Sequence, residues 1–179
     1  MVRTVRRIRQ LAGRRAVAAI VVVGGLFMAD GSATGSVSAT EVAIIVNRDN
    51  PTAELTLHEA TRIFRQERQF WENGQRIYLV MQEAGSQEMA IVLNRIYGMR
   101  SHEELKKLWL TMIFREQLST FPQVLDSNEA VKRFISQVPK AVGFVDAANP
   151  DGRVKILRID GKLPGDSGYP VTDGVLSQP

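Results

Sequence analysis

The stretch E-V-A-I-I-V-N, residues 41–47, decides the fold class of this 179-residue chain. It is a short run of β-branched and apolar residues, ended by the polar turn Arg48-Asp49-Asn50-Pro51. Because the apolar residues are continuous rather than alternating, the run predicts a strand that is buried on both faces. A strand of this kind needs covering elements on both sides of its sheet, which favours an α/β domain.

Strand and helix patterns alternate along the rest of the chain. Residues 77–80 and 141–145 form further apolar runs, and residues 154–160 alternate in the way that is typical of an edge strand. Four amphipathic runs follow residues that commonly cap helices: Thr56, Ser86, Ser101, and Ser127 or Asn128. The predicted fold is therefore a three-layer α/β sandwich.

The helix after Ser86 is predicted to run to about Tyr97 and to stop at Gly98. Its expected inner face consists of Met89, Ala90, Leu93 and Ile96. Both tryptophans, Trp71 and Trp109, have apolar neighbours at strand-turn or helical spacing and are predicted to pack in the core.

The first 39 residues resemble a secretory signal. Six arginines precede an uncharged run of 14 residues, 16–29, which is shorter than the about 20 residues of a membrane span. Val37-Ser38-Ala39 fits a signal peptidase site, with Gly31-Ser32-Ala33 as a second candidate. We predict a signal at 1–39 with cleavage after Ala39, a domain at 40–165, an irregular tail at 166–179, and a periplasmic or secreted location.

The net charge of +4 belongs to this amino-terminal segment. Six of the 23 basic residues and one of the 19 acidic residues lie in 1–39, which leaves 17 basic and 18 acidic residues. A near-neutral domain has no general attraction to nucleic acid, which we therefore do not expect as a partner. The chain has no cysteine, so disulfides and thiolate metal sites are excluded.

No catalytic, metal-binding or cofactor-binding pattern is present in the sequence after the signal. The two histidines, His58 and His102, lie on the polar sides of predicted helices without a partner at metal-ligand spacing. No nucleophile elbow, phosphate-binding loop, dinucleotide fingerprint or zinc-protease motif occurs there. We predict neither an enzyme nor a cofactor.

One local feature has the chemistry of an anion-binding site. The strand that begins at Ile77 leads through Gln82 to Gly85-Ser86, directly before a predicted helix. A helix amino terminus presents free N–H groups and a partial positive charge, and with a serine hydroxyl these groups suit an oxyanion. The simpler alternative is that Ser86 only caps the helix.

In addition, the chain resembles the phosphate-binding proteins of ABC transporters, which have the type-2 periplasmic binding fold. The resemblance covers nearly all of the chain after the signal and runs through these segments: Val46-Asn47, Asn50-Pro51, Leu55-Thr56-Leu57, Ile63-Phe64, Phe70 to Gly74, Ile77 to Val80, Gly85-Ser86, Val142 to Val145, Ile159 to Lys162 and Tyr169-Pro170. The part of the chain after the predicted signal has 140 residues, which is similar to the length of about one lobe of such a protein.

The resemblance implies a ligand site at the start of the second helix. In that family Gly-Ser-Gly-Thr begins the helix and an arginine lies four residues before the serine; here Gly85 and Ser86 match, Gln87 and Glu88 replace Gly and Thr, and Gln82 stands where the arginine would be. The implied ligand-binding residues are Gln82, Gly85, Ser86, Gln87 and Asn47.

The resemblance leaves two functions open. The first is an exported solute-binding protein that holds phosphate or another small oxyanion for an ABC-type uptake system with a membrane permease. The second is a cell-envelope interaction, accessory or sensor protein that has kept the fold and lost the anion site.

Overall fold

A computed structural model describes residues 39–118, 121–149 and 152–174. The predicted signal lies outside these residues, except for Ala39. The strands are β1 (Val42–Asn47), β2 (Glu54–Leu55), β3 (Tyr78–Gln82), β4 (Gln123–Leu125), β5 (Ala141–Asp146), β6 (Val154–Ile156) and β7 (Arg158–Ile159). The helices are α1 (Leu57–Phe64), α2 (Gln87–Val92), α3 (His102–Phe114) and α4 (Asn128–Gln137), and a π-helical segment over Leu93–Tyr97 continues α2.

Five strands form the central sheet in the order β4-β3-β5-β1-β6. The strands β4, β3 and β5 are parallel to one another, whereas β1 is antiparallel to both of its neighbours. All six residues of β1 are buried, which confirms the strand predicted from the opening stretch. A pair of short parallel strands, β2 and β7, forms a separate small sheet.

Apolar residues cover both faces of the central sheet, so the predicted three-layer α/β architecture is confirmed. The larger core contains Val42, Ile44 and Val46 of β1 together with residues of α1, α2, the π-helical segment and α3. The smaller core joins Ala43 and Ile45 to α4. Alternate residues of β1 thus point into different cores, as a strand with buried residues on both faces requires.

The predicted helix starts are confirmed. Thr56 accepts a hydrogen bond from the Glu59 amide in a full capping box, and Ser86, Ser101 and Ser127 cap the other three helices. Gly98 ends the π-helical segment in the left-handed conformation, at a φ of 65°. Trp71 and Trp109 are buried, as predicted.

Two details of the predicted elements are wrong. The stretch 154–160 is interrupted at Leu157: β6 is the edge of the main sheet, whereas β7 pairs with β2. Ala90 is exposed, although it was expected on the inner face of α2. Each helical residue turns by about 100°, so Ala90 falls outside the arc defined by Met89, Val92 and Leu93.

The segment predicted as an irregular tail packs on the domain in its described part, 166–174. It contains no helix or strand there, but Tyr169 and Val171 are buried in the larger core. The Tyr169 hydroxyl donates to the Val42 carbonyl at 2.8 Å, and the Val42 amide donates to the Val171 carbonyl at 2.9 Å. Residues after 165 therefore contribute to the larger core. Among the described residues, no helix is long and apolar enough to cross a membrane.

Candidate binding site where two helices begin

The turn between β3 and α2 is shaped by a glycine and a serine. Gly85 has a φ of 104°, which is a backbone conformation that side chains disfavour. Ser86 then caps α2, because its Oγ accepts a hydrogen bond from the Met89 amide at 3.1 Å. The amides of Gln87 and Glu88 have no acceptor within the described part of the chain, so both remain available to an added ligand.

A second helix begins beside this turn. Ser101 caps α3 by accepting from the Glu104 amide at 3.3 Å. Hydrogen bonds from its own backbone and from Ser101 hold the pKa of the Glu103 carboxyl below its ordinary value. This end of α3 therefore stabilises the negative charge of its own Glu103 carboxylate.

An open depression of about 660 Å³ lies between the two helix starts. Its lining includes Gly85, Ser86 and Gln87 on one side and Arg100, Ser101 and His102 on the other. The Arg100 guanidinium is exposed and has no ion-pair partner among the described residues. The Nδ1 atom of His102 is buried and lacks a hydrogen-bond partner there.

Three of the five predicted ligand-binding residues line this depression: Gly85, Ser86 and Gln87. The Gln87 side chain is held at the rim, because its Nε2 donates to the Thr40 hydroxyl at 2.8 Å and lies 3.4 Å from Asp173 Oδ2. The sequence interpretation of His102 as a surface residue missed its place in the lining. The only indication in the sequence was the position of these residues: Arg100 lies directly before the cap of α3, and His102 is its first residue.

Gln82 lies in an internal polar network instead. It is 3% exposed, and its Nε2 donates to the Phe144 carbonyl at 3.0 Å and to Asn128 Oδ1 at 2.8 Å. Asn128 in turn donates to Glu88 Oε1 at 2.7 Å and accepts from the Asp146 amide at 3.0 Å. The Glu88 carboxylate is thus bound on the side of α4, and Glu88 is absent from the lining of the depression.

Asn47 is at the other end of the sheet. Because β1 is antiparallel to β5, Val42 lies opposite Asp146, near Gln82, while Val46 lies opposite Val142. Asn47 follows Val42 by five residues, which places it about 16 Å along the strand. Its Nδ2 donates to the carbonyls of Ile135 and Ser136, both at 2.9 Å. The structure therefore does not bring Asn47 together with the other predicted site residues.

No protein-family model matches the chain. Solved structures do match it, over 75% of its length. A proposed phosphate ABC transporter substrate-binding protein from Clostridium perfringens, solved with phosphate bound, is 20% identical with a TM-score of 0.61 over 53% of its own chain. An ABC-type phosphate transport receptor from Vibrio cholerae is 19% identical, with a TM-score of 0.59 over 54% of its chain.

The protein PstS from Borrelia burgdorferi is 16% identical to the chain, with a TM-score of 0.58 over 55% of its length. The chain thus spans about half the length of the three binding proteins that it matches. At this level of identity the similarity concerns the fold alone. The chain has the fold of about one lobe of the phosphate-binding proteins of ABC transporters.

Proposed function

We propose that the protein is an exported solute-binding protein that takes phosphate or another small oxyanion in the depression between α2 and α3. The observation that carries this proposal is the meeting of two helix starts around one open space with Arg100, a cation that has no ion-pair partner in the described part of the chain. The matched structures are binding proteins, and one of them was solved with phosphate.

The proposed ligand groups form a coherent set for an anion. The Gln87 amide, which has no acceptor among the described residues, and the Ser86 hydroxyl are donors, and Arg100 supplies a full positive charge in a planar fork suited to two oxygens. Arg100 thereby takes over the charge that Gln82 lacks at the position implied by the family resemblance.

Glu88 limits the affinity that we expect. Its carboxylate lies in the first turn of α2, where it would repel a dianion, but its hydrogen bond from Asn128 keeps it out of the depression. The depression is also open on one side, so an anion there keeps part of its hydration. We expect binding in the micromolar to millimolar range, unless a partner protein closes the site.

Calorimetry of the folded protein with phosphate, sulfate and nitrate tests the proposal. Loss of a charged hydrogen-bond partner costs about 1.5–3 kcal/mol, so Arg100→Gln should weaken binding by roughly 10- to 150-fold. The control is Arg133→Gln, which changes an exposed arginine on α4 and should leave binding unchanged. Absence of heat with every anion, on protein with native circular dichroism, would contradict the proposal.

A second candidate is an envelope interaction protein without a transport role. It is favoured by Leu110 and Phe114, which are 48% and 90% exposed and lie four residues apart on one face of α3. Cross-linking from a photoreactive residue at position 114, in envelope preparations, would capture a defined partner if this candidate is correct. A permease recovered instead, in an anion-dependent manner, would favour the uptake function.

A further inference from the structure

Thr40 is surrounded by polar groups from two distant parts of the chain. Its backbone nitrogen donates to Asp173 Oδ1 at 2.7 Å, and its carbonyl accepts from the Asp173 amide at 3.0 Å and from the Thr172 hydroxyl at 3.1 Å. Its own hydroxyl accepts from Gln87 Nε2 at 2.8 Å. A residue at the very edge of a domain rarely has all of its polar atoms bound in this way.

The nitrogen of Thr40 is also the atom that the predicted signal peptidase site would release. Hydrolysis of the Ala39–Thr40 bond consumes one water, leaves a carboxylate on Ala39, and leaves on Thr40 an amine that takes up a proton near neutral pH. The Asp173 carboxylate already lies within hydrogen-bonding distance of this nitrogen. Processing would therefore turn a hydrogen bond between an amide and a carboxylate into an ion pair.

We propose that the segment 172–173 binds the new amino terminus of the processed protein. Thr40 is then the first residue of the mature protein, and Asp173 forms an ion pair with its ammonium group. Gln87 belongs to the same cluster, because it contacts both Thr40 and Asp173. The ion pair would thus fix the first residue of α2 at the rim of the depression. This inference rests on the proposed export of the protein, but it does not depend on anion binding.

The first test is to express the full chain in a bacterial host and to determine the amino terminus of the exported protein. We expect Thr40. Cleavage after Ala33, which would leave Thr34 first, or an uncleaved Met1 would overturn the proposal, because the Thr40 nitrogen would then stay an uncharged amide.

The second test is a cycle of four purified proteins. Mature protein that begins at Thr40 is compared with a form that retains Ala39, each with and without Asp173→Asn. An asparagine still accepts a hydrogen bond from the Thr40 amide, although a weaker one than the carboxylate accepts, so the substitution should have a smaller effect in the form that retains Ala39. In the form that begins at Thr40 it should lower Tm by about 2–3 °C more, as expected for a partly exposed ion pair.

Salt provides the internal control for this cycle. The additional loss of Tm should shrink in 1 M NaCl, since high ionic strength screens an exposed ion pair. Equal effects of Asp173→Asn in both forms at low salt, on proteins that all unfold cooperatively, would overturn the ion pair. An anion-binding experiment with a negative result would leave this cycle unaffected, so failure of the two proposals can be distinguished.

Discussion

Replacing Asn128 by alanine should destabilise the domain far more than its position at a helix start suggests. The substitution removes three hydrogen bonds at once: from Gln82 Nε2 at 2.8 Å, from the Asp146 amide at 3.0 Å, and to Glu88 Oε1 at 2.7 Å. Ser127, not Asn128, caps α4, so the helix cap itself is retained.

The size of the effect follows from the burial of these partners. Each neutral hydrogen bond contributes about 1 kcal/mol, and the bond to the Glu88 carboxylate contributes about 1.5 kcal/mol or more. Gln82 keeps its bond to the Phe144 carbonyl, and the half-buried Glu88 and Asp146 can regain water in part. We therefore expect a loss of about 3 kcal/mol in the free energy of unfolding, or a Tm lower by roughly 10 °C.

Urea denaturation followed by circular dichroism measures this loss. The control is Asn73→Ala, which removes a single hydrogen bond from the Gln75 amide in an exposed turn and should cost less than about 1 kcal/mol. If Asn128→Ala were no more destabilising than Asn73→Ala, with an unchanged denaturant slope, the network would not stabilise the fold as argued.

Further substitutions test the core, a helix cap and the carboxyl-terminal segment. Gly143→Ala should cost about 1–3 kcal/mol in urea denaturation, because its new Cβ would lie 2.9 Å from Ile135 Cδ1, whereas Gly152→Ala, in open space, should be nearly neutral. Thr56→Ala should cost about 1 kcal/mol at pH 7. The Thr56 backbone amide and then its hydroxyl lower the pKa of Glu59, and the substitution removes only the bond from the hydroxyl. That bond contributes above the ordinary glutamate pKa of about 4.3 and is lost as the pH falls, so the cost measured at pH 3 should be smaller, and an equal cost at both pH values would contradict this origin. Tyr169→Ala should cost about 4 kcal/mol by thermal denaturation, and a negligible change would mean that the segment after residue 165 is not part of the core.

The sequence was sufficient for the features that depend on local pattern. The continuous apolar run of β1, the capping box at Thr56 and the stop at Gly98 each result from residues close together in the chain. Local chemistry of this kind is visible without knowledge of the fold. The same applies to Ser86, whose capping role was one of the two interpretations open at that position.

The features that the sequence did not reveal depend on contacts between distant residues. β4 has only three residues, none of them fully buried, and exists as a strand because β3 pairs with it. Asn47 was grouped with Ser86 by resemblance, and only the antiparallel direction of β1 places the two at opposite ends of the sheet. Tyr169 looks like part of a loop in sequence, yet it fills the core beside β1.

The contacts of Asn128 help to explain why only some of the predicted ligand-binding residues line the depression. The sequence positions that the family resemblance assigns to an arginine and a threonine hold Gln82 and Glu88 here, and both contact Asn128, 46 and 40 residues away. Each change alone suggests a lost anion site, but both side chains are joined through Asn128 by hydrogen bonds within the protein. Ser86 and Gln87 lie on the other side of the same helix start and line the depression together with Arg100 and His102. A ligand of this protein is therefore expected to be held by the groups between α2 and α3, and not by the groups between α2 and α4.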